Sequence, residues 1–352
     1  MKKVKLGEVA TFINGYAFKP QDWSTEGKEI IRIQNLTKTS KEINYYSGKI
    51  DKKYIVETGD ILISWSGTIG VFQWYGKTAV LNQHIFKVVF DKLDLDRSYF
   101  KYVVEKGLQD ALKNTHGSTM KHLTKKYFDN IVVSYTSFKE QQRISSKLDL
   151  LSNLILMRQE QLEELNLLVK SRFNELFGDP VLNEMGWEKH ALKEFGIWKS
   201  GGTPKRNDEK YFRGHIPWIT SGELEHKYID DSFEKITEKA IECSSAKIIE
   251  KGSLLLGMYD TAGLKSSINT KVMSCNQAIA FAKLDDKITN TIYVYYVIQN
   301  LRSMLLNQQR GVRQKNFNLS MIKNISIPLP PLSLQNEFAD FVAQVDKSQL
   351  AI

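Results

Sequence analysis

Residues 138–180 read FKEQQRISSKLDLLSNLILMRQEQLEELNLLVKSRFNELFGDP, and this stretch decides the architecture of the chain. Its apolar residues alternate at intervals of four and three, with breaks at Arg158 and Arg172. The seam runs through Ile144, Leu148, Leu151, Ile155, Leu162, Leu165, Val169 and Leu176. A period of 3.5 over about five heptads predicts a coiled-coil helix, on the order of 55 Å long. Gly178-Asp179-Pro180 is expected to end it.

The sequences that flank this helix repeat each other. Five identities share one offset of 194 residues: Asn82-Gln83, Gly117, Lys121, Asn130-Ile131 and Gln141 recur as Asn276-Gln277, Gly311, Lys315, Asn324-Ile325 and Gln335. Short repeats of 20–50 residues indicate solenoids or propellers, but this period is the size of a domain. The sequence therefore predicts two similar modules joined by a helical spacer.

Each module mixes strand-like and helix-like patterns. Short apolar runs, among them 30–33, 61–65, 216–219 and 253–256, predict strands, and the runs 99–112 and 291–306 predict amphipathic helices. Because strands and helices do not alternate regularly, a doubly wound parallel sheet is unfavourable. We predict an α+β fold with two mixed α/β modules and long coiled-coil spacer helices.

The predicted domain limits are 1–137 for the first module, 138–180 for the central helix, 181–332 for the second module and 333–352 for a distal helix. The distal helix repeats the start of the central one, since Phe338, Val342 and Val345 align with Ile144, Leu148 and Leu151. We expect the two helices to pair antiparallel. The repeat stops at Ile352, so we expect a shortened distal helix. The seam around Leu162, Leu165, Val169 and Phe173 would then remain unpaired by the distal helix. It could dock on another chain, including a second copy through self-association, or on the subunit itself.

Composition is that of a globular protein, with 42% hydrophobic and 25% charged residues. The N-terminus has no apolar signal-peptide segment, and no stretch has the roughly 18 apolar residues that a bilayer requires. Cys243 and Cys275 have no CxxC spacing. These features predict a reduced, cytoplasmic protein that does not enter a membrane.

Positive charge is concentrated in the modules. Residues 1–137 contain 21 Lys or Arg against 14 Asp or Glu, and residues 181–352 contain 22 against 19. Residues 138–180 contain 6 against 7. A solvated charge excess is one explanation; the other is that the modules bind a polyanion while the helix does something else.

Motifs for catalysis are weak. The run Gly70 to Thr78 has five bulky residues where a phosphate-binding loop has four, and neither GxGxxG after a strand nor an Asn/Asp-Pro-Pro-aromatic motif occurs. Asp22 and Glu26 are the best nuclease carboxylates, but they lie in a polar loop. The six histidines show no metal-ligand spacing. A single-chain DNA methyltransferase or nuclease is thus disfavoured, and a coiled-coil scaffold that binds only protein remains the other alternative.

Two loops that align with each other, 115–122 and 309–316, combine glycine with basic, amide and hydroxyl side chains and contain no acid. Such side chains bond to base edges and phosphates. The candidate DNA contacts there are His116, Ser118, Thr119, Lys121, His122, Arg310, Arg313, Gln314, Lys315 and Asn316. Basic turns and strand ends add Asn14, Tyr16, Lys19, Trp65, Ser66, Lys199, Thr203, Lys205, Arg206 and Tyr259.

The duplicated module tail, from Asn130-Ile131 to Gln141 and from Asn324-Ile325 to Gln335, resembles the specificity subunits of type I restriction–modification enzymes. The long helix that ends in Phe173-Asn174-Glu175-Leu176-Phe177-Gly178-Asp179-Pro180 resembles them as well. The resemblance covers the whole chain.

This resemblance implies a non-catalytic subunit in which each module reads one half of a split double-stranded DNA site. It implies spacer helices that set the distance between half-sites and dock two modification subunits. Those subunits would bind S-adenosylmethionine and methylate adenine, and restriction subunits that use ATP and Mg²⁺ would join for cleavage. No cofactor is expected on this chain. The shortened distal helix departs from the family pattern and leaves docking of the second modification subunit in question.

Overall fold

The structure is a computed structural model that describes residues 1–113, 124–259, 264–309 and 316–351. The chain divides into two compact units, Met1–Met157 and Arg158–Ile352. The boundary between the two units lies inside the long helix. Each half of the helix thus belongs to a different unit.

Unit 1 contains a module of short strands and helices followed by the first half of the long helix. Its elements are β1 (Lys2–Lys5), α1 (Leu6–Val9), β2 (Thr11–Asn14), β3 (Lys28–Ile31), α2 (Ile33–Leu36), β4 (Tyr45–Tyr46), β5 (Ile55–Val56), β6 (Ile61–Ser64), β7 (Gly70–Gln73), β8 (Ala79–Leu81), β9 (Ile85–Val89), α3 (Arg97–Lys113), α4 (Lys125–Asp129), β10 (Val132–Tyr135) and α5 (Phe138–Phe177). Sheet orders are β2-β9-β6-β7, β4-β3-β8-β5 and β1-β10.

Aromatic side chains fill the core of unit 1. Phe12 from β2 packs edge-to-face on Phe128 from α4, with ring centroids 4.8 Å apart. Phe86 from β9 lies 5.1 Å from the same ring, and Phe100 from α3 stacks on Phe12. These four side chains are almost fully buried. Burial of each apolar side chain contributes about 1.5–3 kcal/mol, so they join the strands and helices of the module into one core.

Unit 2 contains the second half of the long helix followed by a similar module. Its elements are β11 (Lys189–Ala191), β12 (Lys199–Ser200), β13 (Phe212–Ile219), β14 (Tyr228–Ile229), β15 (Glu234–Ile236), α6 (Glu238–Cys243), β16 (Leu254–Gly257), β17 (Ser266–Asn269), β18 (Ser274–Cys275), β19 (Ile279–Ala282), α7 (Thr291–Gln309), α8 (Leu319–Lys323), β20 (Ser326–Pro328) and α9 (Leu332–Leu350). Sheet orders are β12-β19-β16-β17-β14, β15-β13-β18 and β11-β20.

The two modules share their strand pairing. The order β2-β9-β6-β7 recurs as β12-β19-β16-β17, and β1-β10 recurs as β11-β20. The parallel pair β3 and β8 also recurs, as β13 and β18. The duplication predicted from the sequence and the α+β class are therefore confirmed. One predicted strand, 30–33, is partly wrong, because the strand ends at Ile31 and Ile33 begins α2.

The predicted central helix is confirmed as α5, a continuous helix of 40 residues, about 60 Å long. It ends one residue before Gly178, which has a positive φ of 73° and donates its N–H to the Asn174 carbonyl. A left-handed residue after the last helical turn is the common way to satisfy its free carbonyls.

The predicted antiparallel pairing is present inside unit 2. Arg172 forms an ion pair with Glu337 at 2.5 Å, and Gln349 donates to Asn166 at 2.9 Å. Residues earlier in α5 thus contact residues later in α9, so the two helices run antiparallel. Phe338, Val342 and Val345 are buried in the same cluster as Val169 and Phe173.

The seam around Leu162, Leu165, Val169 and Phe173 docks on the subunit itself, one of the two expected outcomes, whereas the expectation that the distal helix leaves it unpaired is wrong. Val169 and Phe173 are buried, and Leu165 packs against the core cluster that contains α9. The exposed part of the seam lies about two to three turns before Leu162 in α5, at Leu151 and Ile155, which are 54% and 59% exposed. Because α9 is antiparallel to α5 and starts near the C-terminal end of α5, it covers the C-terminal part of that helix.

Candidate nucleic-acid interface

Both modules contain the same backbone arrangement at the end of their edge strand, β2 or β12. We call it the frame, and it is formed by Gly15 and Asn82 in module 1 and by Gly201 and Asn276 in module 2. Gly15 donates its N–H to the Ile85 carbonyl, and Gly201 donates to the Ile279 carbonyl, both at 3.1 Å. A Cβ on Gly15 would lie 2.0 Å from the Asn82 oxygen, and one on Gly201 would lie 2.3 Å from the Asn276 oxygen. Only glycine permits this approach.

The repeated Asn82 and Asn276 join two sheets in this frame. Asn82 donates its N–H to Ile31 at the end of β3, and its carbonyl accepts from Ile85 at the start of β9. Asn276 makes the same two contacts, with Ile219 and Ile279. The two repeated asparagines therefore occupy equivalent loop positions, which their backbone groups define.

Side chains displayed on this frame differ between the modules. In module 1, the Trp65 indole donates to the Asn14 Oδ1 at 3.1 Å, and its ring lies 5.4 Å from the His84 ring. The Gln83 and His84 side chains are 3.3 Å apart at their Nε2 atoms. These four side chains form a contiguous group of donors and acceptors at the sheet edge. We name it the Trp65 group.

The equivalent positions in module 2 follow from shared pairing. The backbone N–H of Trp65 donates to the His84 carbonyl at 3.3 Å, and the backbone N–H of Met258 donates to the Ala278 carbonyl at 2.8 Å. Asn14 opposes Phe86 across β2 and β9, as Ser200 opposes Ala280 across β12 and β19. Asn14, Trp65 and His84 therefore correspond to Ser200, Met258 and Ala278. One backbone frame carries two unlike sets of side chains.

Sequence reasoning selected Asn14 and Trp65 but missed Gln83 and His84. The repeat could have identified Gln83, because Gln83 recurs as Gln277 at the common offset of 194 residues. In module 2, the predicted contact residue Thr203 bonds Gln277 through its hydroxyl. The repeated glutamine is therefore adjacent to predicted contact residues in both modules.

An aromatic patch borders the Trp65 group in module 1. Tyr16 is 41% exposed, and its ring lies 5.0 Å from Phe18 and 5.6 Å from Tyr54. The Lys53 ammonium lies 4.9 Å from the Tyr54 ring centroid. Lys19, which follows Phe18 in the sequence, is exposed. Exposed aromatic rings next to lysines suit contacts with bases and phosphates.

Of the predicted contact residues, Arg206 is paired within module 2 and Ser66 is buried in module 1. Arg206 bonds both oxygens of Glu234 at 2.6 and 2.7 Å, and its guanidinium lies 4.9 Å from the Trp218 ring. Ser66 is only 7% exposed. By contrast, Lys199 and Lys205 are exposed, and Tyr259 is 40% exposed. Lys205 is the better candidate for a phosphate contact in its turn.

The acid-free loops fall mainly outside the described residues, which exclude His116, Ser118, Thr119, Lys121, His122, Arg310, Arg313, Gln314 and Lys315. Their boundaries are described. Asn316 is exposed, and Phe317 donates its N–H to the Met258 carbonyl at 2.7 Å. The end of the second loop therefore lies beside the frame of module 2.

The chemistry of the frame does not favour nucleophilic catalysis. Burial raises the pKa of the Cys275 thiol to about 12, so it is protonated at neutral pH. Among the described residues, no group of three or more His, Cys, Asp or Glu side chains is arranged to bind a metal ion. Within the same part of the chain, no helix is long and apolar enough to cross a membrane.

The sequence matches one family model twice. The model, described as the type I restriction modification DNA specificity domain, matches residues 1–167 and again residues 184–352.

Curated relatives agree with this match. The chain is 22% identical to the EcoBI specificity subunit of Escherichia coli over 384 aligned residues, which cover 97% of this chain and 78% of that protein. It is 25% identical to the MjaVIII specificity subunit of Methanocaldococcus jannaschii, with 84% and 74% covered.

Solved structures show the same fold. The S subunit of a type I restriction–modification system from M. genitalium aligns with a TM-score of 0.64 at 15% identity, covering 99% of this chain and 90% of that one. A chain from a study of type I R-M complex assembly aligns with a TM-score of 0.57 at 17% identity, covering 99% and 91%.

Proposed function

The chain belongs to the type I restriction modification DNA specificity family, and from this premise we propose that it is the DNA-recognition subunit of a type I restriction–modification complex. Each module reads one half of a bipartite double-stranded site. The chain carries out no catalysis itself. This agrees with its relatives, which are named specificity subunits.

The observation that carries the proposal is the duplicated frame with unlike side chains. Equivalent backbone positions hold Asn14, Trp65 and His84 in one module, and small or apolar residues in the other. Hydrogen-bond donors and acceptors specify bases, whereas phosphate contacts only position the protein. Two frames with different side chains suit an asymmetric site whose halves differ.

The reactive cofactors belong to partner subunits in this proposal. Modification subunits, two per complex, bind S-adenosylmethionine and methylate adenine. Restriction subunits that use ATP and Mg²⁺ join through the same complex. Action on chromosomal DNA fits the cytoplasmic location expected from the sequence.

The exposed segment of α5 supports a docking role for modification subunits. Its large apolar side chains are roughly half exposed or more, at Leu150, Leu151, Leu154, Ile155, Leu156 and Met157. A contiguous apolar surface of this kind is typical of a protein interface. We propose that a modification subunit covers it, while the length of α5 sets the distance between half-sites.

A graft of side chains between the modules tests base reading. The triple variant Asn14→Ser, Trp65→Met and His84→Ala gives module 1 the residues that module 2 has at the same positions. In the complete complex, methylome sequencing should show a changed first half-site and an unchanged second half-site. A Tyr75→Phe variant, at an exposed position outside the frame, is the control. A triple variant that methylates the wild-type motif would contradict the assignment.

The alternatives have separate readouts. Methyl transfer from S-adenosylmethionine by the purified chain alone would identify an enzyme. Duplex affinity that is absent, or insensitive to salt, would identify a protein-binding scaffold, since phosphate contacts make DNA affinity fall steeply with salt.

A further inference from the structure

A buried glutamine fastens each module to the start of its spacer helix. The Gln141 amide accepts from the Asp96 N–H at 2.9 Å and donates to the Asp94 and Thr136 carbonyls. Gln335 makes a similar set of contacts, since its amide oxygen accepts from the Asn290 N–H and the Thr289 hydroxyl and its amide nitrogen donates to the Pro330 carbonyl. Both glutamines are fully buried. This contact fixes the start of each helix against its module.

Unit 1 has a second contact further along the helix. Tyr102 of α3 donates its hydroxyl to Asp149 Oδ1 at 2.8 Å and lies 3.2 Å from the Ser152 hydroxyl. Asp149 is eight residues beyond Gln141, or about 12 Å along the helix axis. Burial, and Asp149 beside it, raise the pKa of Tyr102, so the hydroxyl remains a donor.

Unit 2 has a second contact at the corresponding place, built from different residues. Lys227 forms an ion pair with Asp346 of α9 at 2.5 Å and lies 3.3 Å from the Tyr296 hydroxyl. Tyr296 repeats Tyr102, and Asp346 occupies the position of Ser152. The Lys227 and Asp346 side chains are only 17% and 21% exposed.

Aromatic rings enclose this ion pair. The Lys227 ammonium lies 5.2 Å from the Tyr228 ring centroid and 5.6 Å from that of Tyr296. Burial, together with Asp346, raises the pKa of Tyr228 to about 12. Separation of this ion pair would leave two largely desolvated charges without compensation, which is costly. The contact therefore opposes a shift of the module along α9.

Two polar anchors along one helix, added to the apolar packing of α9 in the core of unit 2, define the angle between helix and module. We propose that Tyr102–Asp149 and Lys227–Asp346 hold each module at a fixed angle to its spacer helix. These residues are then positioning residues that determine the spacing between half-sites. The inference rests on the proposed DNA-recognition function and adds to it the residues that enforce the spacing.

The experiment uses the complete complex with modification subunits and three sets of duplexes. Each duplex contains both half-sites, separated by the native spacer or by one base pair more or fewer. Tyr102→Phe removes one second anchor. The double variant Lys227→Met with Asp346→Leu removes the other without leaving an unpaired charge. Tyr75→Phe and Lys347→Met, at exposed positions, are the matched controls.

We expect methylation by the controls to be confined to the native spacer. For the anchor variants, the ratio of methylation rates on native and shifted spacers should fall about tenfold, the equivalent of one hydrogen bond. Altered bases within either half-site should still be rejected. Relaxed spacing with intact base specificity is an outcome that a merely structural role would not produce.

Other outcomes overturn the inference. Folded variants that keep the wild-type preference for the native spacer show that the contacts do not set spacing. Equal loss of methylation on all three spacers shows a structural role only, and circular dichroism of each variant identifies unfolding. If the wild-type complex methylates no bipartite site, the proposed function fails as well, and this result differs from either of the others.

Discussion

Phe173 of α5 and Phe338 of α9 pack edge-to-face, with ring centroids 5.4 Å apart and ring planes at 77°. Both side chains are at most 1% exposed, and both belong to the cluster that contains Val294 and Val297 of α7. The antiparallel helix pair is therefore part of the hydrophobic core of unit 2. A change in the pair should affect the stability of the second module itself.

Replacement of Phe338 by Ala should destabilise unit 2 by about 3–5 kcal/mol, because it creates a cavity beside Phe173 and Phe177. Hydrogen exchange measured by mass spectrometry on peptides from α7 and α9 should accelerate accordingly. Phe233→Ala is the matched control, since Phe233 is 96% exposed, and its effect should stay within about 0.5 kcal/mol. Equal effects of the two changes would contradict the burial of Phe338.

Replacement of Gln141 by Leu should destabilise unit 1 by about 2 kcal/mol or more. The Asp96 N–H and the Asp94 and Thr136 carbonyls would lose their side-chain partner, and each unsatisfied buried group costs about 1–3 kcal/mol. Gln142→Leu is the matched control, because Gln142 is exposed on the next position of the helix. Amide exchange of the first turn of α3 is the measurement, and unchanged exchange in Gln141→Leu would refute the anchor.

The two cysteines should differ in reactivity. Cys243 is exposed and Cys275 is buried, and burial raises the Cys275 pKa to about 12. Since the thiolate is the reactive form, a thiol reagent at pH 8 should modify one cysteine per native chain and both after denaturation. Cys243→Ser should abolish the native reaction. Rapid labelling of that variant would show that Cys275 is accessible.

The neighbouring residues Lys205 and Arg206 should separate DNA contact from local structure. Loss of a phosphate contact in Lys205→Met should reduce the slope of log affinity against log salt by about 0.9. Arg206→Met removes the Glu234 ion pair and the Trp218 contact instead. Its expected effect is about 1 kcal/mol on the stability of module 2.

Fluorescence anisotropy of a labelled duplex in the complete complex, at several salt concentrations, measures the slopes. Thermal unfolding of the same variants measures stability. A salt slope that changes more in Arg206→Met than in Lys205→Met would reverse the assignment.

Local patterns in the sequence were sufficient to predict the elements whose residues interact with near neighbours in the chain. The heptads of α5 and the amphipathic runs of α3 and α7 predicted helices that the structure contains, because helical periodicity is a local property. The run 30–33 failed, because its pattern is too short to distinguish a strand from the start of a helix. The offset between repeated identities also predicted the two similar modules.

The sequence by itself determined two like modules, the spacer helix and the family. Tertiary structure alone decided which half of the α5 seam is covered, since Leu165, Val169 and Leu151 look equivalent in a heptad pattern. It also showed that Gln141 and Gln335 are buried anchors and that Arg206 has an acidic partner. Such assignments depend on which distant side chain occupies the adjoining space. Contacts between residues far apart in the chain, such as Lys227 with Asp346, leave no periodic signal from which to predict them.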